Sequence, residues 1–323
     1  MDSFKLYNQE EINKLLIYRE GEVKLAEKVQ VVNALDEIKS STAKFVLLGI
    51  PEDIGVRANY GNAGAASTWK PGIVAILNIQ SNKFLRGDEL LVLGHFEIEE
   101  PNDASVEGLR NKVADIDNLV YPVIEKIVAA GKIPIVIGGG HNNAYPIIKG
   151  SSLALKKPID VINVDAHADL RAMEGRHSGN GFTYALKEGF LNHYSIFGLH
   201  QNYNNETILN QIEEDPKLDA VFFDDVLKGS DHMGLLSKLS GHTGLEVDLD
   251  CIQNVLSSAE TPSGFAVNDI RKLILTGNKN YTYLHLTEGA SRMIDGRVNK
   301  LTSKLIAYLV SDFIKAQQLQ HYK

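Results

Sequence analysis

Seven short apolar runs rich in β-branched residues, at 45–50, 134–137, 159–164, 194–199, 220–223, 245–249 and 281–286, leave few folds open to this chain. Each is continuous rather than alternating, as expected of strands buried on both faces. Helix-like stretches lie between them. In 105–131, Leu109, Val113, Ile116, Val120, Val123, Ile127 and Val128 fall close to 3.6-residue spacing, and Gly131 supplies a stop. The segment 298–318 reads as one more amphipathic helix. Strands alternating with helices predict an α/β fold, a three-layer αβα arrangement around a mostly parallel sheet, with function at the carboxyl ends of the strands. Residues 1–40 read as one or two extra helices before the first strand, and 41–323 as a single catalytic domain, since no repeat, linker or low-complexity tract divides the chain.

Composition narrows the classes of function. The 33 Lys+Arg against 41 Asp+Glu give a net charge of −8, which argues against nucleic acid or an anionic membrane surface as a partner. No apolar run approaches the ~18–20 residues needed to cross a bilayer. The first residues are charged and amphipathic rather than a basic stub with an apolar core. Cys251 is the only cysteine, so neither a disulfide framework nor a thiolate zinc site is expected. A cytoplasmic protein fits these features.

Polar clusters stand directly after three of the apolar runs. His141 follows IPIVIGGG; Asp165, His167 and Asp169 lie in DAHADLR; Asp248 and Asp250 lie in VDLD. In extended chain, residues two apart project to the same side, so each cluster can point into one site. Each piece has a plainer reading: a strand-end Asp is often a helix N-cap, and GGGH can be a simple turn. Together, however, four carboxylates converging without counter-charge would raise one another's pKa values. Two divalent cations would balance them. Carboxylate and imidazole donors without thiolate suit Mn²⁺-like ions. Two ions bridged by shared carboxylates form a known hydrolytic device that lowers the pKa of water.

GGGH at 138–141, DAHAD at 165–169 and VDLD at 247–250 resemble the three signature motifs of the arginase/ureohydrolase family, with further likeness at 49–72 and in LHLTEGA at 284–290. The resemblance implies an arginase-like fold and two Mn²⁺ per chain. One ion would take His141, Asp165, Asp169 and Asp248; the other would take Asp165, His167, Asp248 and Asp250, with Asp165 and Asp248 bridging. It places Glu288 against the guanidinium or amidine of a small-molecule substrate, lines the cleft with Ser178, Gly179 and Asn180, and implies a homo-oligomer.

Within the family, Gly140 before the ligand His and the string DAHADLR look most like formimidoylglutamase, whose substrate is N-formimino-L-glutamate. Arg171 and Arg176 are candidates for its two carboxylates, since arginine forks bind carboxylates bidentately. They could equally pair with Glu174 or a neighbouring subunit. QNYNN at 201–205 lacks the acid that arginases place there for an α-amine. His177 is a candidate proton donor to the leaving group, its plainer reading being a hydrogen-bonded loop residue. Asn142 and Gln253-Asn254 depart from family patterns, and Phe182 stands where arginases keep a histidine and formimidoylglutamases tend to have Phe. A guanidine hydrolase releasing urea therefore stays open, as does a catalytically silent, metal-stabilised binding protein. Cys251 reads as a buried inert thiol and His285 as a satisfied core histidine. Trp69 with Tyr60 could serve as lid or as packing.

Overall fold

The computed structural model describes residues 3–229, 239, 241–277 and 280–319. Nine strands form one sheet: β1 (Phe4–Leu6), β2 (Phe45–Gly49), β3 (Leu90–Phe96), β4 (Ile133–Ile137), β5 (Ile159–Val164), β6 (Leu191–Leu199), β7 (Leu218–Phe222), β8 (Thr243–Asp248) and β9 (Tyr281–Thr287). Their order is β1-β3-β2-β4-β9-β8-β5-β6-β7, with β1 antiparallel and the rest parallel. All seven runs became strands. Every residue of β5, β8 and β9 is buried, which is why these stretches read as unbroken apolar runs.

Two cores, one on each face of the sheet, make the three layers. On one side Phe45, Leu47, Ile135 and Leu284 pack against the helices Trp69–Leu77, Val267–Thr276 and Leu301–Leu319. On the other, Val46, Leu48, Val136 and Val161 pack against Val106–Ala129 and Ala144–Leu155. The long helix starts where its cap predicts, the Ser105 side chain accepting from the Gly108 N–H at 3.1 Å. It ends before Gly131, whose φ of 71° is the left-handed stop.

The N-terminal segment meets the helical expectation only in part. It opens with β1, continues through the helix Gln9–Leu15, and then makes two 3₁₀ turns at Leu25–Glu27 and Leu35–Ser40. Three residues carry no readable periodicity, and β1 exists because its partner exists: Phe4 packs edge-on against Phe96 at 4.7 Å between ring centroids. Strand β3 was also absent from the seven runs, because Gly94 and His95 interrupt its apolar stretch. Gly94 has a reason. Its φ is +134°, and a Cβ there would meet the Lys5 carbonyl oxygen at 1.9 Å. Gly94→Val is therefore expected to cost about 1–3 kcal/mol through strain and collision with β1. Urea denaturation reads this directly, and parental stability would contradict it.

Candidate metal centre

β4, β9, β8 and β5 are consecutive in the sheet, so their carboxyl ends deliver all three polar clusters and Glu288 to one place. After β4 the chain turns through Gly138 and Gly139, both at φ +86°. A Cβ on Gly139 would meet Asn143 Nδ2 at 2.4 Å and the Ile50 carbonyl oxygen at 2.9 Å, so only glycine fits. Buried Glu52 fastens this turn: Oε1 accepts from Gly140 N–H at 3.0 Å and Asn143 Nδ2 at 2.6 Å. From β9, Thr287 Oγ1 donates to the Gly139 carbonyl at 2.7 Å, and Glu288 Oε1 accepts the His141 N–H at 2.9 Å. Asp169 and Glu288 both hold left-handed backbone, at φ 51° and 60°, a conformation that costs non-glycine residues energy and clusters at functional sites.

His141 Nδ1 lies 3.0 Å from Asp169 Oδ2, 3.1 Å from Asp248 Oδ2 and 3.2 Å from Asp165 Oδ2. His167 Nδ1 lies 3.4 Å from Asp250 Oδ2 and 3.5 Å from Asp165 Oδ1. These residues form two groups able to hold metal ions, His141–Asp165–Asp169–Asp248 and Asp165–His167–Asp250. Asp165 offers one oxygen to each. Asp248 stands with the first group, while its Oδ1 accepts the Asp250 N–H at 2.9 Å, so the N-cap reading of a strand-end Asp also holds.

The cluster is short of positive charge. Among the described residues no lysine or arginine pairs with these carboxylates. Burial, then repulsion from Asp250 and Asp165, pushes the Asp248 carboxyl well above its ordinary value. Burial raises Asp169, and burial with the charges of Asp250 and Asp169 lifts Glu288 to about 8. Both ring nitrogens of His141 and Asp250 Oδ1 are buried without a hydrogen-bond partner. Buried acceptors and imidazoles left in this condition fit divalent ions with oxygen and nitrogen ligands.

The floor of a cleft of about 1130 Å³ is formed by His167, Asp169, Asp248, Asp250 and Glu288. Arg171 and Ser178 are on its wall. Arg171 donates to Asn59 Oδ1 at 3.0 Å and to Glu174 Oε1 at 2.8 Å and remains 44% exposed.

Arg176 does not reach the cleft. Its guanidinium is buried and committed, donating to both oxygens of Asp117 at 2.8 and 3.2 Å, to Asn180 Oδ1 and to the Asn142 carbonyl. The expected proton-donor position of His177 is likewise not found. Its ring is buried, Nδ1 accepts the Gly179 N–H at 3.1 Å, and Nε2 faces Glu174 at 3.2 Å. Burial and the nearby charges of Arg171 and Arg110 lower it to about 4, leaving a neutral ring that shapes the loop. Asn180 braces that loop too, through the Ala172 and Gly175 carbonyls. Cys251 is buried, its thiol pushed well up by burial, and Trp69 is packing whereas exposed Tyr60 lines the cleft.

Sequence reading passed over Glu52, Asn59 and Glu246. Glu246 shared the two-residue spacing of Asp248 and Asp250 and could have been found; the other two carry no local signal.

The Arginase family sequence model matches residues 43–308. A formimidoylglutamase of Hahella chejuensis is 29% identical over 241 residues, 69% of this chain and 68% of that protein. A Streptococcus pyogenes formimidoylglutamase is 33% identical over 171 residues, 50% of this chain and only about half, 48%, of the relative. The Trypanosoma cruzi formiminoglutamase structure with Mn²⁺ superimposes with a TM-score of 0.71 at 20% identity, covering 91% of this chain and 98% of that one. The agmatine ureohydrolase of Thermoplasma volcanium gives 0.69 at 23% identity, covering 97% and 98%. At these identities the structural likeness speaks to the fold. Among the described residues no helix is long and apolar enough to cross a membrane.

Two outcomes follow from the geometry. Arg176→Ala leaves the buried Asp117 carboxylate unpaired and should cost about 3–5 kcal/mol of stability, read from denaturant melts. A variant that stays stable but binds substrate poorly would return Arg176 to a recognition role. The second concerns pH. Asp169, Asp248, Glu288, His141 and His167 are all raised. A raised group contributes stability below its unfolded value and loses it as pH rises through the folded one. Metal-free protein should therefore melt lower at about pH 8.5 than at about pH 6, and Mn²⁺ should raise the melting temperature more at the higher pH. A metal effect that shrank with pH would contradict this.

Proposed function

The chain belongs to the arginase family, and from that membership we propose that it is a Mn²⁺-dependent hydrolase of a linear amidine, its lead substrate N-formimino-L-glutamate. The observation that carries the reading is Asp165, buried just beneath the cleft floor and shared between two His/Asp groups that reach it. One ion would be held by His141, Asp165, Asp169 and Asp248, the other by Asp165, His167 and Asp250, with Asp248 added as a second bridge by family resemblance. When bound, such a pair supplies water of lowered pKa and offsets negative charge developing on the substrate.

The chain's own residues do the rest. Glu288 spends Oε1 on the His141 N–H, and its other oxygen is available to an amidine N–H in the cleft. Arg171, on the wall, presents a guanidinium fork to a substrate carboxylate, exchanging its contact with Glu174 for a stronger partner. Asn59, Ser178 and Tyr203 are also on the wall; no acid occupies 201–205 to receive an α-ammonium, and Asp215 lines the cleft beyond that segment. This favours a substrate whose α-nitrogen lies within the amidine. In the reaction one water adds to the formimino carbon. The bond from that carbon to the α-nitrogen breaks, and the nitrogen leaves with a proton as the amine of L-glutamate, with formamide as the second product. The relatives named formimidoylglutamase and the Mn²⁺ in the Trypanosoma cruzi structure support this choice of substrate and ion.

An assay with Mn²⁺ on formiminoglutamate, arginine, agmatine and guanidino acids tests it. Glutamate and formamide are expected; urea would make the protein a guanidine hydrolase, and no turnover with ions bound would make it a binding protein. With formiminoglutamate, Arg171→Ala should raise KM about ten- to a hundred-fold, and Lys should restore only part. An unchanged KM would remove Arg171 from substrate recognition.

A further inference from the structure

His141 has a second neighbour that the metal groups do not explain. Its Nδ1 faces Asp165, Asp169 and Asp248, while Nε2 lies 3.5 Å from Glu246 Oε2, on the opposite side of the ring. Glu246 sits on β8, two residues before Asp248, and is completely buried. A carboxylate in the middle of a sheet must be paired or hydrogen-bonded to be tolerated. Glu246 is: Oε2 lies 2.6 Å from His285 Nδ1, and Oε1 accepts the Tyr283 hydroxyl at 2.7 Å, both from β9. The Tyr283 hydroxyl donates to one of its oxygens, and the other faces His141 as an acceptor.

His141, Glu246 and His285 also cluster closely enough to suggest an ion of their own. The 2.6 Å contact between Glu246 and His285 is a hydrogen bond, however, and leaves no room for a cation between those atoms. A different role fits. A neutral imidazole binds a metal through the nitrogen that carries no hydrogen. An acceptor at Nε2 keeps the hydrogen there and leaves the Nδ1 lone pair toward Asp165, Asp169 and Asp248.

We propose that Glu246 is a positioning residue for His141, fixing its tautomer and ring orientation, and that His285 and Tyr283 lock Glu246 in place across the β8–β9 pair. The inference rests on the reading of His141 as a metal ligand. It makes His285 more than a core histidine, and gives the LEVDLD strand a third acid facing the same centre from behind.

Mn²⁺ titration with chelator competition, and the electron paramagnetic resonance of the bound ions, tests it. The parent should take two ions. Glu246→Gln should weaken one of them about ten- to a hundred-fold and leave the other nearly unchanged. In a His141→Ala background the same substitution should add little, because the effect runs through His141. If the parent itself fails to take two ions, the metal reading falls. If the parent takes two and Glu246→Gln takes both as tightly, or its effect persists undiminished without His141, the positioning role alone falls. Should Glu246→Gln fail to fold, Tyr283→Phe removes only one hydrogen bond from Glu246. Weakened binding at one site then supports the role, and unchanged binding overturns it.

Discussion

The structure turns on carboxylates gathered where water does not reach. Asp165, Asp248 and Asp250 are almost wholly buried, within a few ångströms of one another and of Asp169, and among the described residues they face imidazoles but no lysine or arginine. Such an arrangement is stable as a fold only if charge enters from outside or protons are retained. Much of the surrounding architecture follows from holding it. The strand order sets four carboxyl ends side by side, two glycines turn the chain tightly after β4, and Glu52 clamps that turn through one buried oxygen. Even the backbone bears part of the cost, in the left-handed conformations of Asp169 and Glu288.

What the sequence disclosed follows the range of the forces involved. Strands buried on both faces must be apolar along their length, so seven of the nine were visible. β1 and β3 were not, because one is three residues long and the other is broken by Gly94, whose bare Cα admits the neighbouring strand. The metal-facing residues were legible for a related reason. A spacing of two marked Asp165, His167 and Asp169 as one cluster, although the chain bends after β5 and Asp169 turns left-handed, so that His167 and Asp169 serve different groups. The same period pointed to Glu246, which was overlooked because an apolar strand seldom carries a buried acid.

Arg176 shows the opposite case. Seven residues past a ligand, it looks like part of the substrate site, yet its partner Asp117 is 59 residues earlier, on the long helix. Nothing local distinguishes an arginine that will be buried in an ion pair from one left in a cleft, and Arg171, five residues before it, took the exposed position. The floor of the cleft was thus readable and much of its wall was not. The floor is built from short-range repeats on strand ends, whereas the wall is assembled from loops whose contacts are distant in sequence. Chemistry is accordingly better specified than substrate.

The most direct measurement is the metal content and position in protein stripped with chelator, reconstituted with Mn²⁺ and crystallised, read by elemental analysis and anomalous diffraction. The account predicts two ions per chain, both at the cleft floor, with Asp165 ligating each. A single ion at saturation, or two ions that share no carboxylate, would contradict it.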